Sequence, residues 1–297
     1  MTRRFRHFIF LIFVAFFVIT SAMVILFAQG YRVDFASLKI VKTGGIFIKT
    51  SADEAKIYIN DKYVGSTGGI LNYSNLISGL KPKNYSIFIY KENYYPWNKS
   101  VEIKNGMVVE LSNIILFPLE LKRVKVAELP NQTISKFSIN DNVIKIENGN
   151  LKTIKNYSLP EGKLLSNEKM KTATSSAESI SPDENKKLYL SSGQLWVKYF
   201  NDEKKDPIKT AGDKELITLF ESPVKLFDWF SNSEHLLWFN GNELTISELD
   251  NRGGKRNSVK FYLNIDSPVY WDRNKSEFYF FEKAANKSIL YKINFQT

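Results

Sequence analysis

From Phe8 to Ala28 the chain carries no charged residue, and the run opening Phe8-Ile9-Phe10-Leu11-Ile12-Phe13-Val14 is apolar on every face. At about 1.5 Å per residue it predicts a helix of roughly 31 Å, close to the thickness of a bilayer's hydrocarbon core. Thr20 and Ser21 carry its only polar side-chain groups, and both can bond back to their own helix. Beyond it the period falls to two. Ile46-Phe47-Ile48, Lys56-Ile57-Tyr58-Ile59 and Tyr85-Ser86-Ile87-Phe88-Ile89-Tyr90 each predict a short strand, as do Lys99 to Ile103 and Val108 to Leu111. Lys104-Asn105-Gly106, between the last two, predicts a tight hairpin, and Gly65, Gly68, Gly69 and Gly79 punctuate the middle.

After Pro118 a weaker pattern repeats. Phe137-Ser138-Ile139-Asn140 leads into Val143 to Ile146, Ile180-Ser181-Pro182-Asp183 into Leu188-Tyr189-Leu190, Phe230-Ser231-Asn232-Ser233 into Leu236 to Phe239, and Trp271-Asp272-Arg273-Asn274 into Phe278 to Phe281. The anchors recur every 40 to 50 residues or so, with two to four strands per unit, which is the period of propeller blades. Three closures fit four units. Leu119 to Leu129 can supply an edge strand against Ile293 to Phe295, the sheet can stay open and curved, or a partner chain can complete the ring. Lys163 to Ile180, with Thr172-Ala173-Thr174-Ser175-Ser176, predicts an exposed loop between units.

The domain plan is therefore a cytoplasmic tail (1–7), a transmembrane helix (8–28), a linker (29–43), a small β-module (44–117) and a β-repeat region (118–297). Arg3, Arg4 and Arg6 precede the helix, while Arg32, Lys39 and Lys42 follow it with Asp34 among them. The first helix usually sets topology, so the N-terminus is expected in the cytoplasm and the rest outside, in a single-pass protein of the cell membrane. A cleaved signal peptide is the rival, with Thr20-Ser21-Ala22 before the cut. It would leave Met23-Val24-Ile25-Leu26-Phe27 exposed on the mature chain, so an uncleaved anchor is favoured.

The residues of the first module carry a resemblance. Thr50-Ser51-Ala52-Asp53-Glu54-Ala55, then Lys56-Ile57-Tyr58-Ile59-Asn60-Asp61, Gly65-Ser66-Thr67, Gly79-Leu80-Lys81-Pro82-Lys83-Asn84-Tyr85 and Asn93-Tyr94-Tyr95-Pro96-Trp97 follow in the order and spacing of the PEGA domain. Ile46 to Leu111 resembles that family, which implies a β-sandwich serving as a surface or adaptor module. Ala52 and Glu54 stand where the family has Pro and Gly, and Asn93 where it has Gly. Asn tolerates left-handed backbone, whereas Glu54 predicts a different turn. The Ser181-Pro182-Asp183 turn resembles those of TolB-like and related propellers. The expected fold is mainly β: an N-terminal transmembrane helix, a small PEGA-like β-sandwich, then β-propeller-like repeats.

Composition narrows the chemistry. The chain has no cysteine, which removes disulfides, thiolate metal sites, thiol catalysis and a lipoprotein anchor. An exported chain without disulfides fits a bacterial or archaeal surface. The net charge of +10 comes from lysines scattered along solvent faces rather than from a stripe, so nucleic acid is not an expected partner. Only His7 and His235 are present, and no nucleophile elbow, metalloprotease pair, phosphate loop or dinucleotide fingerprint appears. Asn201-Asp202-Glu203 is the nearest thing to an acidic cluster, and a solvated turn explains it better than calcium. Tyr94, Tyr95 and Trp97 are a candidate sugar-stacking patch, with edge packing of the sandwich as the plainer reading. Trp196, Trp229, Trp238 and Trp271 fit blade packing.

No catalytic, cofactor-binding or metal site is expected. The expected role is non-enzymatic binding or scaffolding in the cell envelope, with the bilayer as one partner through residues 8–28, and envelope polymers or another surface protein as further partners. The alternative is an envelope enzyme acting on glycans with paired carboxylates in the propeller-like region.

Overall fold

The computed structural model of the chain describes residues 3–34, 39–68, 74–169, 178–204 and 207–295. Its first element, α1 (Arg3–Ala28), is one continuous helix. The Thr20 hydroxyl donates to the carbonyls of Phe16 and Phe17 at 2.8 and 3.0 Å, so it needs no partner outside the helix. Phe10, Phe13, Phe16, Phe17, Met23 and Val24 are all exposed, and none of the apolar window is buried. At about 25 cal/mol per Å² of apolar surface, water is a costly surrounding for this helix, and its own chain supplies no other.

Two compact units follow from the packing, 1–92 with 96–116, and 93–95 with 117–297. In the first, residues 29–43, read above as a linker, hold a two-stranded hairpin of β1 (Tyr31–Asp34) and β2 (Lys39–Lys42). Then come β3 (Gly44–Thr50), β4 (Lys56–Ile59), β5 (Lys62–Ser66), β6 (Ser74–Leu80), β7 (Asn84–Tyr90), β8 (Trp97–Glu102) and β9 (Val108–Ile114). They form sheets of order β6-β3-β9 and β5-β4-β7-β8. Alternation places Ile46, Ile48, Ile57, Ile87 and Ile89 at 0% exposure, which is the core that the period-two pattern encodes. Gly69 lies outside the described residues.

One local expectation changes. Lys104-Asn105-Gly106 does not close a hairpin: β8 pairs with β7, and β9 runs parallel to β3 in the other sheet. The turn instead carries the chain between sheets, because Val101, Ile103 and Leu111 on either side of it must all be buried. Glu54 takes φ +51° and Asn93 φ +63°, both in the left-handed region that glycine enters most easily.

The second unit begins with β10 (Arg123–Pro130). A first antiparallel meander comprises β11 (Lys136–Asn140), β12 (Val143–Asn148), β13 (Thr153–Ser158) and β14 (Leu164–Lys169). The next is β15 (Glu178–Ile180), β16 (Lys186–Ser191), β17 (Gln194–Tyr199) and β18 (Lys214–Leu219), followed by β19 (Val224–Trp229), β20 (His235–Asn240), β21 (Glu243–Glu248) and β22 (Ser258–Tyr262). The last contains β23 (Val269–Asp272), β24 (Glu277–Ala284) and β25 (Lys287–Asn294), and takes β10 as its fourth strand. That pairing runs from Arg123↔Ile293 to Pro130↔Lys287, so the start of the unit supplies the fourth strand of its last sheet, as the edge-strand expectation has it.

These are four blades of four strands. Their cores lie between blades: Phe137, Ile144 and Ile146 pack with Tyr279, Phe281 and Leu290, and Leu188 and Val197 pack with Trp229, Leu236 and Trp238. Part of the segment 163–180 read as a loop is strand, since β14 and β15 take up its ends; Thr172 to Ser176 lie outside the described residues.

Candidate functional site

The innermost strand of each blade opens onto one cavity. Lys136 and Phe137 of β11, Glu178 of β15, Val224 to Phe227 of β19, and Val269 and Tyr270 of β23 line a space of about 730 Å³. Asp266, Ser267 and Pro268, on the approach to β23, complete it. This is a mouth formed where the first strands of the four sheets converge. A neighbouring cavity of about 660 Å³ shares Ile134, Asp266, Ser267 and Pro268 and adds Arg123, Gln132, Asn264 and Lys283. Together they make a recess whose walls mix cations, carboxylates and amides over an apolar base. Gln132 accepts the Tyr157 hydroxyl at 3.1 Å on Oε1, while its buried Nε2 has no hydrogen-bond partner among the described residues. A buried donor left in that state favours an incoming acceptor.

Just inside the mouth the strands are tied together. Asp228 of β19 accepts the Ser179 hydroxyl of β15 at 2.5 Å and the Arg273 guanidinium at 2.5 Å. Arg273 also donates to the Ile180 carbonyl at 2.8 Å. The Trp229 indole donates to the Ser179 carbonyl at 3.1 Å, and the Trp271 indole to the Trp229 carbonyl at 2.9 Å. Tyr270 reaches the Ile139 carbonyl at 3.2 Å, linking the last blade to the first, and burial pushes its phenol pKa up. These bonds hold the mouth-forming strands in register, so the recess is set by the scaffold and not by loops alone.

A second polar cluster joins the second and third blades. Lys186, only 1% exposed in its side chain, has Glu203 at 2.6 Å, Glu234 at 3.2 Å and Asp183 at 3.5 Å. Ser181 and Asp183 of the Ser-Pro-Asp turn shape its approach, with the Lys186 amide donating to the Ser181 hydroxyl oxygen at 2.9 Å. Burial alone would lower the lysine pKa, but the carboxylates outweigh it and hold the value above normal. Burial raises the Glu234 carboxyl, with Lys186 pulling the other way. Glu203 is thereby committed to Lys186, and no group of three or more His, Asp or Glu side chains suited to a metal occurs among the described residues.

The residues singled out from the sequence are dispersed. Trp97 is 5% exposed and faces Ile89 across the β7–β8 pair, with the Lys99 ammonium 5.7 Å from its ring centre. Tyr94 and Tyr95 are half-buried and belong to the second unit, where the Tyr95 ring meets Phe261 edge-on at 5.6 Å. His235 begins β20 and is buried, with Nδ1 3.2 Å from the Asn232 side-chain oxygen. Trp229, Trp238 and Trp271 are buried between strands, and Trp196 is half-buried with its indole donating to Gln194.

Aromatics do reach the surface of the sandwich, at other positions. Tyr63, Tyr58 and Phe88 form a row across β5, β4 and β7 with ring centres 5.7 and 6.0 Å apart, and Tyr90 stacks on Phe88 at 6.5 Å. The signal for them was present in Tyr85 to Tyr90, where Phe88 and Tyr90 fall on the outward phase of a strand whose inward phase is Tyr85, Ile87 and Ile89.

Residues 43–115 match the PEGA domain family, in agreement with the resemblance carried by Ile46 to Leu111. No curated protein matches the chain. Among solved structures, the Cps50 (Swd1) beta-propeller domain of Myceliophteria thermophila aligns at 9% identity and a TM-score of 0.25, over 52% of this chain and 51% of that one. Hsv2 of Kluyveromyces lactis, with a complete loop 6CD, aligns at 12% identity and a TM-score of 0.23, over 79% of this chain and 69% of that one. The chain therefore spans about half the length of the first of these structures, and the family match is confined to residues 43–115.

Proposed function

We propose that this chain is a non-enzymatic protein of the cell envelope, tethered to the membrane by residues 8–28 with its N-terminus in the cytoplasm. In this reading it binds an envelope component at the mouth between its four sheets. The observation that carries the proposal is the recess itself: all four blades contribute to it, and the Asp228–Arg273–Ser179 ties fix its walls. Its lining favours a hydroxyl-rich polymer such as an envelope glycan. Lys136, Lys225, Glu178 and Asp266 give no net sign of charge, and the spare Gln132 donor suits a sugar oxygen.

The test uses the full-length chain in detergent and purified envelope polysaccharide as the probe. Lys136→Ala with Asp266→Ala, both at exposed positions, is expected to abolish retention while leaving the melting temperature unchanged. Undiminished retention by the double variant would refute the site.

A second reading is favoured by one observation, that two carboxylates, Glu178 and Asp266, line the same cavity. An enzyme cleaving glycans would use such a pair as acid and base or nucleophile. The two readings separate by product. Glycan shortened on incubation, with loss of shortening in Glu178→Gln and Asp266→Asn, supports the enzyme; glycan bound and recovered intact supports the binder.

A further inference from the structure

We propose that the β1–β2 hairpin is a membrane collar, whose exposed face lies in the headgroup layer of an anionic bilayer. The inference rests on α1 being a membrane anchor. Only Gln29 and Gly30 separate α1 from β1, and the joint is fixed. The Gly30 amide bonds the Phe27 carbonyl at 3.1 Å with Gly30 at φ +88°, a conformation that ends the helix in a tight turn. Arg32 donates to the same Phe27 carbonyl at 2.8 Å, and its guanidinium sits 3.4 Å from the centre of the Phe27 ring. Its charge therefore faces the negative end of the helix. At the base of the hairpin, the amide and hydroxyl of Thr43 donate to the Gly30 carbonyl at 2.9 and 2.7 Å.

The register sorts the hairpin into two faces. Tyr31↔Lys42 and Val33↔Ile40 are cross-strand pairs on one side; Arg32↔Val41 and Asp34↔Lys39 are on the other. The second side is held to the protein, because Asp34 accepts the Lys81 ammonium at 2.8 Å. On the first side Val33 is 47% and Ile40 62% exposed, with the Lys42 stem lying over Gly106 beside them. An aliphatic pair flanked by a tyrosine and a lysine has the chemistry of a membrane interface, where amphipathic rings and snorkelling lysines settle.

The joint places it there. The hydrocarbon is about 30 Å thick and the whole bilayer about 40–45 Å, leaving roughly 5–8 Å of headgroup on each side. The two-residue connection is not extended: the tight turn at Gly30 folds it back onto the Phe27 carbonyl, so β1 starts beside the end of α1, within that layer. Lys42, on the first side, then meets lipid phosphates, and Lys39, exposed on the other, adds to the positive charge there, while Asp34, the one acidic residue of the hairpin, is already neutralised by Lys81.

The absence of cysteine in this chain makes a direct test available. Met23→Cys, Ile40→Cys and Val64→Cys, each made in the full-length protein and labelled with an environment-sensitive fluorophore, are reconstituted into vesicles of phosphatidylcholine with and without phosphatidylglycerol. Met23 reports the anchor, Ile40 the collar, and Val64, exposed on β5 of the sandwich, the water reference. The expected result is an Ile40 emission blue-shifted from that of Val64 but less than that of Met23, with the shift growing in the anionic vesicles. Ile40 emission matching Val64 while Met23 is fully blue-shifted overturns the collar and leaves the anchor standing. Met23 emission matching Val64 overturns the anchor, and the collar with it. Lys39→Glu with Lys42→Glu, in the Ile40→Cys background, is expected to remove the added shift in anionic vesicles; a shift that survives both charge reversals overturns the role of headgroup charge.

Discussion

Arg273 and Asp228 meet at 2.5 Å inside the mouth, and Ser179 shares both, bonding the carboxylate as a donor and the guanidinium as an acceptor. This one ion pair thus couples the second, third and fourth blades. Asp228→Ala would leave a guanidinium that is only 27% exposed without its counter-charge. The expected loss is about 1–3 kcal/mol, or a fall in Tm of roughly 3–10 °C for a unit of this size. An unchanged melting curve would show that the tie contributes nothing to stability.

Lys186 makes a stronger prediction because its ammonium is almost inaccessible while three carboxylates converge on it. Lys186→Met should cost about 2–4 kcal/mol near neutral pH, less than for a fully buried pair because the carboxylates reach solvent. The pH dependence has a definite sign. The Glu234 pKa is raised in the folded state, by burial, so its contribution favours folding at low pH and is lost as pH rises through the folded value. Removing Lys186 enlarges that rise, so the stability gap between wild type and variant should narrow from pH 7 to pH 5. A gap of constant width would contradict this.

Glu128 tests the β10–β25 pairing that completes the last sheet. Lys125 and Lys287 bond it and hold its carboxyl near 2, below the ordinary 4.5. A depressed carboxyl contributes fully above 4.5 and loses that contribution as pH falls toward 2. Amide exchange in β10 and β25, corrected for its intrinsic rate, should therefore speed up selectively in acid. The effect should be absent in Glu128→Gln and screened in 1 M salt, since the group is at the surface. Equal acid sensitivity in the variant would assign the change to other groups.

Glu54 stands in left-handed backbone at φ +51°. Glu54→Gly removes that strain, partly offset by the greater freedom of glycine in the unfolded chain, for a net gain of about 0.5–1 kcal/mol. Calorimetry of the two proteins decides it; a loss of stability would mean that Glu54 makes a contribution the backbone angle hides.

The chain's pattern shows some of these features and hides others for physical reasons. Alternation in Ile46–Ile48 and Tyr85–Tyr90 exposes the sandwich, because one face of each strand is buried and the other is wet. The β10–β25 pairing is visible in the apolar segments before Leu129 and around Ile293, since the last sheet needs a fourth strand. The hairpin at 31–42 is not visible: its strands are four residues long and carry as many charges as apolar groups. β14 is hidden likewise, as an outer strand with almost no buried position. The mouth is the least legible element of all. Lys136, Glu178, Lys225 and Asp266 come from four separate stretches, and only the folded unit brings them to one cavity. Nothing local marks Lys186 as buried, since its partners Glu203 and Glu234 lie on other segments.

The central claim is that a membrane helix carries these β-modules. It is tested most directly by fractionating cells that express the full chain or a chain lacking residues 1–29, with a high-salt and carbonate wash. The account predicts the full chain in the washed membrane pellet and the shortened chain, still folded, in the supernatant. A shortened chain that stays in the pellet, or a full chain that washes off, would contradict it.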